Sequence, residues 1–261
     1  MTGDPFVLRS DDGGVTTLTL NRPQSRNSLS MGMLDALGAA VAAAARDDGV
    51  RVLVIAGAGP AFSAGHDLRE LREQDYQADF VDTLFARCAE VMQAIVHLPK
   101  PVIARVQGIA TAAGCQLVAS CDLAVAATDA RFATPGVNIG LFCSTPMVAL
   151  SRNVHPKHAM RMLLSGEPID APTALSYGLV NEVVPADHLV ARTAAQARTL
   201  AEKPALTLAI GKEAFYRQAE MSLADAYRYT RSVMARNLAT ADAREGIGAF
   251  LEKRPPVWCG R

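Results

Sequence analysis

The chain has 261 residues, half of them hydrophobic and a fifth charged. That suits one large α/β domain, alone or with a helical appendage, and argues against disorder. Its 26 basic and 26 acidic side chains cancel, so no overall field favours a nucleic acid or an anionic membrane surface.

The N-terminal MTGDPFVLRSDDGG carries neither a basic nor an apolar leader segment, and no apolar run reaches membrane-spanning length. Five cysteines (Cys88, Cys115, Cys121, Cys143 and Cys259) lack CxxC spacing. The expectation is a cytosolic protein with reduced thiols and no metal site.

Phe6–Arg9 and Val15–Leu20 flank Asp11-Asp12-Gly13-Gly14, which predicts a β-hairpin. After the stop at Asn21-Arg22-Pro23, Ser30 is placed to cap a helix over about 31–46, with Met33, Leu34, Leu37 and Val41 on its apolar side. The β-branched run 51–56 reads as a buried parallel strand. It leads into GAGPAFSAGHDLREL (57–71), where Gly57, Gly59, Pro60 and Gly65 force a sharp turn and small side chains admit a close approach. Unpaired backbone N–H groups near His66 would suit a carbonyl that becomes an oxyanion; an ordinary tight loop is the competing reading.

Phe80, Leu84, Val91, Ile95 and Leu98 have helical spacing over about 79–97, ended by Pro99-Lys100-Pro101. Next come a strand over 102–106, a small-residue turn at 108–116 opening a short helix to about Cys121, and strands over 122–126 and 131–134. Pro135-Gly136 breaks the chain before a loop to Cys143, after which Ser144 or Thr145 is expected to cap a helix with Pro146 in its first position. Short helices over about 157–165 and 171–177 precede a strand at 179–184. From Asp187 to Glu252 the pattern is helical, with breaks at Pro204, Ser222 and Thr240. Strand–strand–helix units thus recur roughly every fifty residues, with a core over 1–200 and a helical region over 201–261.

Five segments in order, NRPQSRNSLS (21–30), GAGPAFSAGHDLREL (57–71), KPVIARVQGIATAAGCQLVASCDLAVA (100–126), FATPGVNIGL (132–141) and GEPIDAPTALSYGLVNEVVP (166–185), resemble the crotonase superfamily, the enoyl-CoA hydratase/isomerase family, over nearly the whole chain. The resemblance implies a spiral of ββα units with a C-terminal helical region that forms a homotrimer or a dimer of trimers. It implies an acyl-CoA thioester ligand, with coenzyme A as part of the substrate and no resident cofactor. The thioester carbonyl would lie between the backbone N–H groups of His66 and Ala113, with Ala112 and Gly114 leaving room. Ala64, His66, Asp67, Leu68 and Arg69 would line the path of the CoA moiety, with Arg22 and Arg69 facing its phosphates.

Two glutamates that hydratases of this family use fall at Gln116 and Gly136. An amide does not exchange protons near neutral pH and glycine has no side chain, so hydration by that route should be largely lost. Cys143 and Ser144 are the substitutes: a thiol at a helix N-terminus can act as nucleophile or acid, while the plainer reading is a buried small side chain and a capping serine. The His66 imidazole is expected to titrate near neutrality or only to shape the acyl pocket, and Asp67 to stabilise its turn. The alternatives to an enoyl-CoA enzyme are an acyl-CoA hydrolase or acyl-transfer enzyme, using Cys143 or water, and a non-catalytic acyl-CoA binder.

Overall fold

A computed structural model describes residues 4–260. Strands β1 (Val7–Asp12) and β2 (Val15–Leu20) form the hairpin. Gly13 and Gly14 both have positive φ (55° and 82°), the conformation that a two-residue turn between right-twisted strands requires. The first strand runs past Arg9 because Asp11 and Asp12 still pair with Thr16 and Val15.

Helix α1 (Met31–Arg46) starts where expected: the Ser30 side chain accepts the Met33 N–H, and Met33, Leu34, Leu37 and Val41 are buried. Strand β3 (Val52–Gly57) leads to a short α2 (Leu68–Glu73) and a long α3 (Ala78–Val96). β4 (Val102–Val106) is followed by β5 (Ile109–Thr111), a three-residue strand within the expected turn. The chain continues through α4 (Ala113–Ser120), β6 (Leu123–Ala127), β7 (Arg131–Ala133), α5 (Ser144–Asn153), α6 (Pro156–Ser165), β8 (Ile169–Asp170), α7 (Ala171–Ser176) and β9 (Glu182–Val184). Four helices close it: α8 (Leu189–Ala201), α9 (Ala205–Gln218), α10 (Leu223–Leu238) and α11 (Ala241–Glu252). Ser222 and Thr240 cap the last two by accepting the N–H groups of Asp225 and Ala243.

Six strands form one sheet in the order β1-β2-β3-β4-β6-β9, parallel from β2 onward; β5, β7 and β8 form a second. Alternation along each strand sends side chains to opposite faces. Leu53, Ile55, Val102, Ala104 and Val106 join the large core with α1, α3 and α4. Val52, Val54, Ile103 and Val125 join a smaller one beneath α8. The order of elements is that of a mixed α/β spiral with a helical C-terminal region. Lys212 of α9 ties that region to the core, its Nζ donating to Asp122 Oδ2 at 2.7 Å and to the carbonyls of Ile95 and Lys100 at 3.0 Å.

Candidate functional site: the loop after β3 and the start of α4

Three chain segments are laced together behind β3 and β4. The N–H groups of Phe62 and Ser63 donate to the Ile109 carbonyl at 3.0 and 3.1 Å, and the Thr111 N–H returns a bond to Ser63 O at 3.0 Å. From the other side, the Ala64 N–H donates to Arg26 O at 2.9 Å and the Leu29 N–H to Gly65 O at 2.7 Å. Asn27, buried and with φ +52°, donates through its side-chain amide to the carbonyls of Ala58 and Ala61 and accepts the Arg22 N–H. Asparagine tolerates this left-handed conformation better than most residues, so the loop after β3 is pinned at both ends.

That lacing brings Gly65 against the start of α4. A Cβ at Gly65 (φ +86°) would lie 2.8 Å from Ala112 Cβ and 3.2 Å from the Ala113 nitrogen. Ala112 itself holds φ +50° and ψ −120°, a region in which a side chain is strained and glycine is not. It is kept there because its N–H donates to Ala133 O at 2.9 Å while its carbonyl accepts the Gln116 N–H at 3.0 Å. The N–H groups of His66 and Ala113 have no acceptor among the described residues. The second opens a helix, where the dipole adds positive potential. Gly114 serves a different purpose from the one the sequence suggests: a Cβ there would meet the Ser63 carbonyl oxygen at 2.3 Å. It lets the helix touch the loop.

Gln116 and Gly136 are the positions at which the resemblance leads one to expect glutamates. Gln116 is buried on α4 and its Oε1 lacks a partner among the described residues, as does the hydroxyl of buried Thr134, two residues before Gly136. At Gly136 the space for a side chain is already filled, since a Cβ would lie 2.7 Å from Leu141 O and 2.9 Å from Cys143 Sγ. Residues 135–139, expected as loop, form a 3₁₀ turn.

One expectation for a side chain is corrected, and for two others the structure favours the plainer of the open readings. Helix α5 has Cys143, not Ser144 or Thr145, at its cap position, with no side-chain cap bond; Ser144 is exposed in the first turn and Pro146 falls two residues later. The Cys143 thiol is buried, and desolvation pushes its pKa up, only partly offset by the Gly136 N–H. That opposes the thiolate a nucleophile needs. The His66 imidazole has its pKa lowered by burial, against a smaller opposing contribution from the Leu29 carbonyl. A carbonyl only accepts, so the 3.2 Å contact of Nδ1 with Leu29 O puts the proton of the neutral ring on Nδ1. Nε2 is buried without a partner among the described residues, and the ring packs edge-on to Phe85 at 5.0 Å.

Of the expected CoA-facing residues, Asp67 caps α2 by accepting the Arg69 N–H and also accepts the Ser28 hydroxyl, so it stabilises its turn. Leu68 and Arg69 are exposed and Ala64 is half-buried. Arg22 is committed elsewhere: its guanidinium donates to the carbonyls of Asp4, Pro5 and Asn21 and lies 3.9 Å over the Phe6 ring. Arg26, unremarked in the sequence, is exposed and supplies the carbonyl that holds Ala64. A basic residue inside NRPQSRNS was the signal that could have drawn attention to it.

The family model "Enoyl-CoA hydratase/isomerase" matches residues 10–261. "Enoyl-CoA hydratase domain-containing protein 3, mitochondrial" of Xenopus laevis is 48% identical over 97% of this chain and 86% of its own length. Its Homo sapiens counterpart is 48% identical over 97% and 83%. The crystal structure of an enoyl-CoA hydratase from Mycobacterium smegmatis superposes with a TM-score of 0.95 at 53% identity, covering 98% of this chain and 99% of that one. In the sequence, SAGHDL (63–68) and GLFCSTP (140–146) resemble this domain-containing protein 3 type, which is among the similar proteins.

These names overturn the cytosolic expectation, because the similar vertebrate proteins are mitochondrial. Reduced cysteines fit any compartment that keeps thiols reduced, so they did not discriminate. With the fold, the order of motifs and the matched length in agreement, the chain belongs to the enoyl-CoA hydratase/isomerase family.

Proposed function

We propose that the protein binds an acyl-CoA thioester and polarises its carbonyl between the N–H groups of His66 and Ala113, without the two-glutamate machinery that adds water across an enoyl bond. The observation that carries this reading is the pair of acceptor-free N–H groups beside Gly65 and the strained Ala112. Each such donor is worth about 10²–10³ in rate where an oxyanion develops. The missing acid–base groups would each cost about 10²–10⁴. Binding and polarisation survive in this reading and fast hydration does not. Buried Cys143, with its raised pKa, gives little support to a thiol-based hydrolase. Arg26 and Arg69, exposed on either side of residues 64–68, are the cations available to the CoA phosphates.

Crotonyl-CoA tests the reading. The enoyl absorbance and free thiol are followed separately while binding is measured by calorimetry. Saturable binding with neither signal at hydratase-like turnover is expected. Rapid loss of enoyl absorbance would overturn the inference from Gln116 and Gly136, and thiol release abolished by Cys143→Ala would favour the hydrolase.

The same reading includes self-assembly. Phe215, Leu223, Tyr227, Phe250 and Leu251 of α9–α11 are all more than 60% exposed, which is costly for large apolar side chains left in water. A second copy of the chain covering them is the proposed occupant, and a sedimentation mass of one chain at micromolar concentration would remove it.

A further inference from the structure

The smaller core beneath α8 contains one residue that does not belong there on pattern. Along β4, Val102, Ala104 and Val106 face the large core, and Ile103 faces α8. Alternation puts Arg105 on the α8 side as well, beside Val125 of β6 in the register. Its neighbours on that face are valine, isoleucine and alanine. The guanidinium is half-buried, burial lowers its pKa, and it makes no hydrogen bond or ion pair among the described residues. Its five donors thus have no protein acceptor among the described residues, in a place where an aliphatic side chain would suffice.

Arg105 borders a cavity of about 150 Å³, which lies between the hairpin and α8. Arg198, a second guanidinium, exposed and without a partner among the described residues, lines the same cavity from α8. The hydroxyl-bearing Ser10 and Thr17 lie on its strand side, together with the exposed carboxylate of Asp12. The charges sum to one net positive. Because Val54 and Arg105 point away from the large core that holds Ala113, the cavity opens on the opposite face of the sheet from the His66 and Ala113 donors.

We infer that this cavity is a binding site for a small oxyanion, held by Arg105 and Arg198 with the strand hydroxyls as donors. Planar guanidinium groups match carboxylate and phosphate oxygens in pairs. The net single positive charge suits a monoanion, and the Asp12 carboxylate at the rim disfavours a larger polyanion such as CoA itself. The site is separate from the proposed thioester site and does not depend on that reading.

Binding is tested with the full-length protein by calorimetry and thermal unfolding, using inorganic phosphate in one arm and acetate in the other, each against chloride at matched ionic strength. At least one arm should give saturable binding and a raised melting temperature. Arg105→Leu should weaken that binding at least tenfold while the protein without anion melts no lower than wild type, since an unpaired charge has been removed. Arg198→Ala, at the exposed rim, should weaken it severalfold and serves as the second variant if Arg105→Leu does not fold. No saturable binding in either arm, or binding of unchanged affinity in Arg105→Leu or, failing that, in Arg198→Ala, would overturn the site. The arm that responds identifies the oxyanion as phosphate-like or carboxylate-like.

Discussion

Gly65 and Ala112 are two small residues at one contact with opposite tolerances. Gly65→Ala places a Cβ 2.8 Å from Ala112 Cβ and 2.9 Å from Thr111 O at φ +86°. It should lower stability by about 1–3 kcal/mol and weaken acyl-CoA polarisation by about a hundredfold, the value of one misplaced donor. Ala112→Gly removes the strain of φ +50°, so it should leave urea stability unchanged or raise it by about 1 kcal/mol. A Gly65→Ala protein as stable as wild type, with the bound thioester carbonyl still polarised, would contradict the geometry. Gly65 was legible in the sequence, because SAG at a strand exit marks a turn. The strain at Ala112 was not, since an alanine looks the same whether its φ is negative or positive. Nor was the direction of the His66 shift, which depends on how deeply the loop is packed against Phe85.

Helix caps and apolar periodicity are local, so α1 could be read from Ser30 and its buried stripe, and α10 and α11 from Ser222 and Thr240. Strand β5 was missed because three residues carry no alternation; its pairing with β7 decides it. The start of α5 was shifted for a related reason: Ser, Thr and Pro all favour a helix start, but Cys143 is the residue seated against Gly136. That seating separates two substitutions that sequence alone treats alike. Gln116→Glu is nearly isosteric on α4, places a carboxylate at a buried position, and should raise any hydration of crotonyl-CoA. Gly136→Glu must displace Leu141 and Cys143 and should lose about 1–3 kcal/mol through overpacking. Urea unfolding checks this, and a Gly136→Glu protein as stable as wild type would show that the 140–143 segment yields freely.

At the scale of the whole molecule, the sheet order and the motif order agree because each family segment supplies one piece of the same scaffold. The loop follows β3 of the six-stranded sheet, the start of α4 follows β5 of the three-stranded one, and the bonds between loop and β5 hold the two together. Lys212, buried against Asp122, joins the C-terminal helices to that scaffold. The fold was therefore largely readable from the sequence through five motifs in order. The chemistry was readable only as a pair of absences at Gln116 and Gly136, while the compartment was misread. What remains central is the claim that the protein grips and polarises a thioester carbonyl. The direct measurement is the vibrational frequency of a ¹³C-labelled thioester carbonyl of bound acyl-CoA. A clear downshift from its value in water, lost in Gly65→Ala at matched occupancy, is predicted. A bound carbonyl at its solution frequency would contradict the account.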